Sequence, residues 1–352
     1  MDIAVIGACG DVGRQIVQHI VVERLLQCEQ RLVLVANADG ASARSVHGLA
    51  ADLDDAYAEI RPQIEVVLDP SDLRADLIVM AAGATIPVDP GATDGSRYAL
   101  AERNAPIFER YAESLARNGS GSEIVVCITN PNELAVALFA KHLGRQRVIG
   151  MGAFLDSLRF RVELARDLHV RRQAVHAMVA GEHGAGIVPL WSDVHVYGLP
   201  GDRLSAEIER IRGNQKLGRF ADRVSDALRE TQQLVASGRV GEAYAVVDRQ
   251  PPDVRVVIRP FVTHFSGAKT VIGTARATME FLRTITQGSD VLVSGQIALD
   301  GEVYGIRGTI GVPFVVGNKG VDRVFELPIA DEETQLLCSA AERVQSKIER
   351  FL

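Results

Sequence analysis

Short apolar runs alternate with longer helical patterns over residues 1–149 of the chain. The runs are rich in valine and isoleucine and apolar on both faces, as in strands that are buried from both sides. They lie at Ile3–Ile6, Leu32–Val35, Ile64–Leu68, Leu77–Ala82, Ile124–Ile128 and Val148–Ile149. Such strands, separated by helices, predict an α/β fold with a doubly wound parallel sheet, which binds ligands at the carboxyl ends of its strands.

The pattern changes to α+β after residue 149, so we expect two domains, 1–149 and 150–352. In the second domain we expect helices at Leu155–Leu168, Leu204–Ser237, Ala268–Thr284 and Glu332–Arg350. We expect strands at Ala174–Ala180, Asp193–Tyr197, Asp290–Leu299, Val303–Tyr304 and Gly311–Val316. The segment Gly241–Val262, which contains three prolines, interrupts this pattern and stays unassigned.

Composition excludes several classes of protein. The net charge is −7 and no run of lysine or arginine stands out, which argues against a surface that follows nucleic-acid phosphates. No apolar stretch approaches the roughly 20 residues of a membrane-spanning helix, and the start lacks the features of a secretory signal. The four cysteines have no metal-site spacing. We therefore expect a soluble cytoplasmic protein with reduced thiols, no bound metal, and neither nucleic-acid nor membrane partners.

A glycine-rich turn follows the first predicted strand and opens a helix. It reads GACGDVG over residues 7–13. Glycines at such a turn allow positive φ angles and let the backbone approach a pyrophosphate, whose charge is met by the helix N-terminus. The turn therefore predicts a dinucleotide site. The expected contacts from it are Gly7, Gly10, Asp11, Val12 and Gly13.

The choice between NAD and NADP stays open. In dinucleotide-binding folds an acidic residue usually ends the second strand and binds both ribose hydroxyls, but Ala36 follows the apolar run here. Asn37 or Asp39 can substitute for the missing acid, which would keep NAD. Alternatively, the missing charge leaves room for the 2′-phosphate of NADP, with Ser42 and Arg44 as contacts.

Three further segments contain residues of types that take part in catalysis or substrate binding. In chain order they read TNP at 129–131, LDSLRFR at 155–161 and GEHG at 181–184. Together with the glycine turn, these segments resemble the lactate/malate dehydrogenase family in order and spacing. The resemblance runs from the first residues to beyond Gly320. It implies a Rossmann domain followed by an α+β catalytic domain, and an oxidoreductase that transfers hydride between NAD(P) and a 2-oxo or 2-hydroxy acid.

The resemblance also implies the roles of individual residues. Reduction of a 2-oxo acid needs a proton at the carbonyl oxygen, and a histidine can supply it. His183 is the match for that acid–base, with Asp156 as its carboxylate partner. Arg159 matches the residue that binds the substrate's carboxylate, and Arg97 the arginine that polarises the carbonyl. Asn130 matches the residue at the substrate and the nicotinamide ribose.

Two more residues complete the implied cofactor site. Gly83 matches the glycine that the family places against the cofactor. Asn104 ends a segment, 96–104, that looks like the family's loop-to-helix region.

The loop that closes over the substrate in this family departs most from its pattern. Malate dehydrogenases carry a basic residue before a Pro-Gly in this loop, and Val88 is its match here. A dicarboxylate buried without that cation is costly, so we expect weak or no activity with oxaloacetate. On the opposite wall, Ser266 begins the region that lines the substrate. Lys269 is either a solvated lysine or a cation that binds the second carboxylate, which would allow an acidic substrate after all.

The turn after His183 also departs from the family. Ala185 and Gly186 stand where an acid and a small hydroxyl residue are usual, which predicts a looser turn around an intact acid–base.

Other interpretations remain open. The chain can be a malate dehydrogenase with a rearranged loop, or a non-catalytic dinucleotide-binding protein of the same fold. A family 4 glycosidase would need a Cys/His metal site, and no such pair stands beside Asn130 or Asp156. By resemblance we expect a homodimer or homotetramer, with the predicted helices Gln15–Leu26 and Leu155–Leu168 as candidate interface elements.

Overall fold

A parallel sheet forms the first half of the chain. The computed structural model describes residues 1–87, 97–213 and 215–352, including every side chain there except those of Arg97 and Tyr98. The elements are β1 (Ile3–Ile6), α1 (Asp11–Val22), β2 (Arg31–Val35), α2 (Ser42–Ala56), β3 (Gln63–Val67), β4 (Leu77–Met80), α3 (Ala101–Asn118), β5 (Ile124–Cys127), α4 (Asn132–Leu143) and β6 (Val148–Gly150). The strands pair in parallel in the order β3-β2-β1-β4-β5-β6. The predicted doubly wound fold is confirmed.

Burial explains why the central strands β1 and β4 have no polar face. All four residues of β1 and of β4 are fully buried, because helices cover the sheet on both sides. Within the described residues, no helix combines the length and the apolar character that a membrane span requires.

The second half extends the same sheet with antiparallel strands. Its elements are α5 (Gly152–Asp167), β7 (Val175–His176), β8 (Val179–Gly181), β9 (Ile187–Pro189), β10 (His195–Val196), α6 (Gly201–Arg212), α7 (Phe220–Ala236), α8 (Val240–Asp248), α9 (Pro252–Thr263), α10 (Val271–Gln287), β11 (Val291–Asp300), β12 (Arg307–Gly317), β13 (Gly320–Val324) and α11 (Asp331–Ile348). Strand β11 pairs with β6, and the sheet continues through β12, β8 and β9. One sheet therefore joins both halves of the chain.

Several expected elements differ in the structure. The helix expected at Leu204–Ser237 is wrong as a single unit, because Gly213 adopts a φ of 61° and separates α6 from α7. The strand expected at Val303–Tyr304 is wrong as well. These residues form the turn between β11 and β12, where Tyr304 has a φ of 49°. Strand β13 was not expected, since its charged residues hide an edge strand from an apolar pattern.

The unassigned segment Gly241–Val262 is helical. It contributes most of α8 and α9, and Pro251 and Pro252 stand at the start of α9. Proline is well tolerated there, because the first helical residues have no intrahelical partner for an N–H group. The prolines thus mark a helix start within the segment.

A buried ion-pair network fastens α9 to α5. The carboxylate of Glu163, on α5, accepts from Arg255 Nε and Arg259 Nε, both at 2.6 Å. The side chains of Glu163 and Arg255 are only 6% and 5% exposed. Arg259 also reaches Asp248 on α8 at 2.9 Å, so one network joins three helices.

We expect Glu163→Ala to destabilise the protein by about 3 kcal/mol, because it removes the carboxylate that both arginines share and leaves the buried guanidinium of Arg255 with one carboxylate among the described residues, that of Asp167. Urea unfolding measures this change. The matched control is Glu207→Ala, which breaks the exposed pair with Arg210 on α6 and should cost about 0.5 kcal/mol or less. Equal losses for both variants would contradict the assignment.

Candidate active site

The glycine turn between β1 and α1 is tightly packed. Gly7 has a φ of 86°, and a Cβ added to it would lie 2.7 Å from the backbone nitrogen of Ala82. A Cβ on Gly13 would lie 2.1 Å from the carbonyl oxygen of Gly7. These close approaches exclude side chains and place the first N–H groups of α1 at the carboxyl edge of the sheet, where an anion can be bound.

Two asparagines organise the neighbouring strand ends. Asn104, fully buried on α3, donates to the carbonyl oxygens of Asn130 at 2.6 Å and Ala84 at 3.1 Å. Its Oδ1 accepts from Ala84 N at 2.7 Å. Asn104 therefore holds together the chain segments after β4 and β5. Gly83 lies in the same place, where a Cβ would come within 2.5 Å of Thr129.

The side chain of Asn130 has a buried hydrogen-bond acceptor that a ligand can use. Its Oδ1 is buried and accepts no hydrogen bond from the residues that the structure describes. An orphaned acceptor is costly unless a ligand satisfies it, and the hydroxyl or amide donors of a nicotinamide nucleoside have the required chemistry. The residues at this edge of the sheet thus fit a dinucleotide.

The end of β2 lacks a carboxylate, as the sequence indicated. Ala36 is buried, and Asn37 follows it on the surface. The guanidinium of Arg110, on α3, lies 3.5 Å from Asn37 Oδ1. Arg44, proposed from the sequence as a phosphate contact, is exposed on α2. Arg110 is a cation at this position that sequence reasoning missed, because α3 is distant from β2 along the chain.

A histidine–carboxylate pair lies where α5 meets the turn after β8. His183 Nδ1 and Asp156 Oδ2 are 2.7 Å apart, and the two side chains are 7% and 2% exposed. The other oxygen of Asp156 accepts from Arg159 Nη1 at 3.1 Å. Helical spacing explains this second contact, since residues three apart share one face of α5. The structure therefore brings together three of the residues predicted for the site.

The start of α5 is shaped to receive the histidine ring. A Cβ added to Gly152 would lie 2.4 Å from His183 Cγ. Gly152 N donates to Asn132 Oδ1 at 3.2 Å, which fixes the helix start against α4. Gly152 was missed from the sequence, since a glycine at a helix start reads as an ordinary helix boundary.

Contacts from its own backbone and from α11 hold the turn that bears His183, and the expectation of a looser turn stays a prediction. Glu182 N donates to Gly186 O at 3.1 Å, and the Glu182 carboxylate accepts from Lys347 on α11 at 2.7 Å. A Cβ on Gly186 would lie 2.7 Å from Glu182 Oε2. The Ala185-Gly186 sequence thus makes room for the Glu182 carboxylate.

The region before α10 differs from the helix expected to begin at Ala268. Gly267, Lys269 and Thr270 all have positive φ angles, so α10 begins only at Val271. Lys269 Nζ donates to Asp11 Oδ2 in the glycine turn at 3.0 Å. Ser266 Oγ donates to Thr263 O at 2.8 Å, within its own turn of the chain.

Two predicted residues have no described side chain. Val88 lies outside the described residues, and Arg97 begins a short 3-10 helix, Arg97–Leu100, whose backbone alone is described at that position. All four cysteines are free thiols. Burial raises the pKa of the Cys127 thiol far above its ordinary value, which makes that cysteine inert. Across the described parts of the chain, no cluster of three or more histidine, cysteine or acidic side chains could hold a metal.

Comparison with known proteins identifies matches over nearly the whole chain. The model of the lactate/malate dehydrogenase NAD-binding domain matches residues 1–150. The model of the lactate/malate dehydrogenase alpha/beta C-terminal domain matches residues 153–253 and 262–352. The unmatched residues between these last two ranges, 254–261, lie in α9.

Individual relatives and structures agree with these matches. The chain is 31% identical to an L-lactate dehydrogenase of Bacillus caldolyticus over 79% of this chain and 76% of that one. It is 28% identical to an L-2-hydroxycarboxylate dehydrogenase (NAD(P)(+)) of Methanocaldococcus jannaschii over 99% and 98%. Lactate dehydrogenase of Cryptosporidium parvum, solved with lactic acid and nicotinamide adenine dinucleotide, has the same fold. Its TM-score is 0.75 at 24% identity, over 99% of this chain and 97% of that one.

We expect Gly152→Ala to break the bond between His183 and Asp156, because the added methyl group occupies the space of the imidazole ring. Proton–nitrogen NMR of the histidine rings measures this as loss of the strongly hydrogen-bonded Nδ1 proton. The control is Gly48→Ala on α2, where a Cβ meets nothing within 4 Å, so the signal should persist. Retention of that signal in Gly152→Ala would contradict the packing argument.

Proposed function

Since the chain belongs to the lactate/malate dehydrogenase family, we propose that it interconverts a 2-oxo acid and its 2-hydroxy acid with His183 as the acid–base. Membership makes the protein a nicotinamide-dinucleotide-dependent hydroxyacid dehydrogenase. The observation that carries the residue assignment is the buried pair of His183 and Asp156, with Arg159 on the second carboxylate oxygen.

The proposed chemistry follows from that arrangement. When bound, the cofactor supplies the hydride that adds to the carbonyl carbon. The proton for the carbonyl oxygen comes from His183 Nε2, because Nδ1 donates to Asp156. Asp156 fixes this tautomer and stabilises the imidazolium. In the oxidative direction His183 takes the hydroxyl proton back.

The proposal assigns the substrate contacts to arginines and an asparagine. Arg159 binds the substrate's carboxylate through its planar guanidinium, while Asp156 holds that side chain at 3.1 Å. Arg97 polarises the carbonyl as charge develops on its oxygen. Asn130, with its unsatisfied Oδ1, binds the nicotinamide nucleoside. The glycine turn and Asp11 face the pyrophosphate, and Lys269 partly neutralises Asp11 there.

We propose as the preferred substrate a 2-oxo acid without a second carboxylate, whose side chain is apolar, amino-bearing or bulkier. The sequence offers Val88 in place of the cation that binds a second carboxylate, and the alternative cation, Lys269, is paired with Asp11 at 3.0 Å. A second carboxylate would therefore be desolvated without compensation. The names of the relatives do not choose among substrates, because they include both lactate and malate dehydrogenases.

The first test is steady-state reduction of a panel of 2-oxo acids, followed by loss of reduced-cofactor absorbance. We expect turnover with monocarboxylic members, and His183→Asn should lower kcat about 1000-fold while cofactor binding persists. The control His142→Asn removes another histidine–carboxylate pair, with Glu109 at 2.8 Å, and should leave kcat unchanged. Oxaloacetate as the best substrate would overturn the specificity. A fully active His183→Asn would overturn the mechanism.

We further propose that the protein accepts NADPH as well as NADH. Ala36 removes the carboxylate that repels a 2′-phosphate, and Arg110 supplies a cation 3.5 Å from Asn37. The exposed Arg44 lies on α2, the helix that follows Ala36 and Asn37 in the chain, and is a second cation proposed for the 2′-phosphate.

Arg110→Ala should lower kcat/KM for NADPH about tenfold, because it removes a charge-assisted contact to the 2′-phosphate. The same variant should leave kcat/KM for NADH within about twofold, since the ribose is neutral. Arg117→Ala, on the same helix and paired only with its neighbour Glu113 on the surface, is the control. Equal losses with both cofactors would rule out a phosphate contact.

Association as a homodimer or homotetramer remains part of the proposal. Helix α5 leaves Val162 49% exposed, and α1 leaves Val22 47% exposed. Each helix thus exposes one valine, and the proposal of these helices as interface elements rests on the family resemblance.

A further inference from the structure

A second carboxylate lies behind the histidine. Glu133, in the first turn of α4, is only 2% exposed. Its Oε1 accepts from the backbone nitrogen of His183 at 2.7 Å and from Gln296 Nε2 at 3.2 Å. The proposed reaction uses Glu133 for neither binding nor proton transfer, and a buried carboxylate is costly to keep without a purpose.

Gln296 extends this contact to the other member of the pair. It is fully buried on β11, and its Oε1 accepts from Ala153 N at 3.0 Å. Ala153 is the second residue of α5, one turn before Asp156. The histidine turn and the helix that carries its carboxylate partner are thus joined through two buried side chains.

We infer that Glu133 is a positioning residue for the acid–base, holding His183 against Asp156 and favouring the protonated imidazole by its negative charge. The inference rests on the proposed function in so far as its effects on turnover assume that reaction. Its geometric basis is separate, since Glu133 accepts from the backbone nitrogen of His183 itself. Asp156 instead binds the ring and, at 3.3 Å, the backbone nitrogen of Gly184.

Other charged groups near His183 also influence its protonation. From α5 come Asp156 and Arg159, and within the same turn Glu182 is neutralised by Lys347 of α11 at 2.7 Å. Gln296 on β11 is neutral. A change of charge at Glu133 alone can therefore be detected against groups that the substitution leaves in place.

Two substitutions separate geometry from charge. Glu133→Gln keeps an acceptor for His183 N and removes the charge. The pH midpoint above which reduction slows should move down by about 0.5 to 1 unit, because the imidazolium loses a nearby anion. Glu133→Ala removes the acceptor as well, and kcat should fall about 100-fold with little change in the cofactor's KM.

The matched control is Glu123→Gln. Glu123 is equally buried, at 2% exposed, and accepts from the backbone nitrogen of Gly121 at 3.0 Å, before β5. Its loss should lower stability in urea unfolding without moving the pH midpoint. If Glu133→Gln behaves in the same way, with lower stability and an unchanged midpoint, Glu133 is merely structural and the inference is wrong.

An NMR titration of the His183 ring keeps the inference independent of turnover. A titration midpoint that is lower in Glu133→Gln than in the unaltered protein supports it, even if no 2-oxo acid of the panel is reduced. In that case the proposed function fails while the positioning role stands. An unshifted His183 titration overturns the positioning role whatever the kinetics show. If Glu133→Ala does not fold, Glu133→Gln alone decides.

Discussion

The bond between Asp156 and His183 joins a helix to a turn 27 residues later in the chain, and it forms in a nearly dry environment. Its length of 2.7 Å leaves little tolerance for displacement of either partner. The helix start must approach the ring without a side chain, which Gly152 provides. The turn must also be anchored, and the Glu133 carboxylate does this by accepting a hydrogen bond from the backbone nitrogen of His183. Residues from both halves of the chain thus keep these two segments in place.

Helix α5 carries two buried carboxylates, Asp156 and Glu163. Asp156, Arg159 and Glu163 lie three and four residues apart, so they follow one side of the helix. Asp156 is compensated by His183 and Arg159, and Glu163 by Arg255 and Arg259. Burial of each carboxylate is tolerable because it keeps two partners, one of them buried with it, His183 for Asp156 and Arg255 for Glu163. The second set of partners comes from α9, whose middle residues are the part of the C-terminal half that the family model does not match.

The parallel sheet was predicted from local patterns, whereas the histidine–carboxylate pair was implied by the resemblance of two segments to the lactate/malate dehydrogenase family. Apolar runs identify strands that are buried on both faces, and the GEHG and LDSLRFR segments carry His183, Asp156 and Arg159. Contacts made across the fold were invisible. Glu133 and Gln296 are 163 residues apart, and Arg110 reaches Asn37 from 73 residues away. Neither pair has a signature in its own segment.

Helix breaks were missed where one residue outweighs a periodic pattern. Gly213 divides a helical pattern that continues on both sides of it, because its φ of 61° is incompatible with a right-handed helix. The prolines of 251–252 had the opposite effect on interpretation. They start a helix, although their composition is equally typical of a loop.

The pairing of β6 with β11 has a consequence for synthesis of the chain. Val148 and Ile149 are completely buried in the finished sheet, and the neighbouring strand does not begin until Val291. While the ribosome makes the intervening residues, the first half can fold, but it exposes an apolar strand edge with unpaired N–H and C=O groups. This edge lacks its partner in the sheet until β11, Val291–Asp300, has been made.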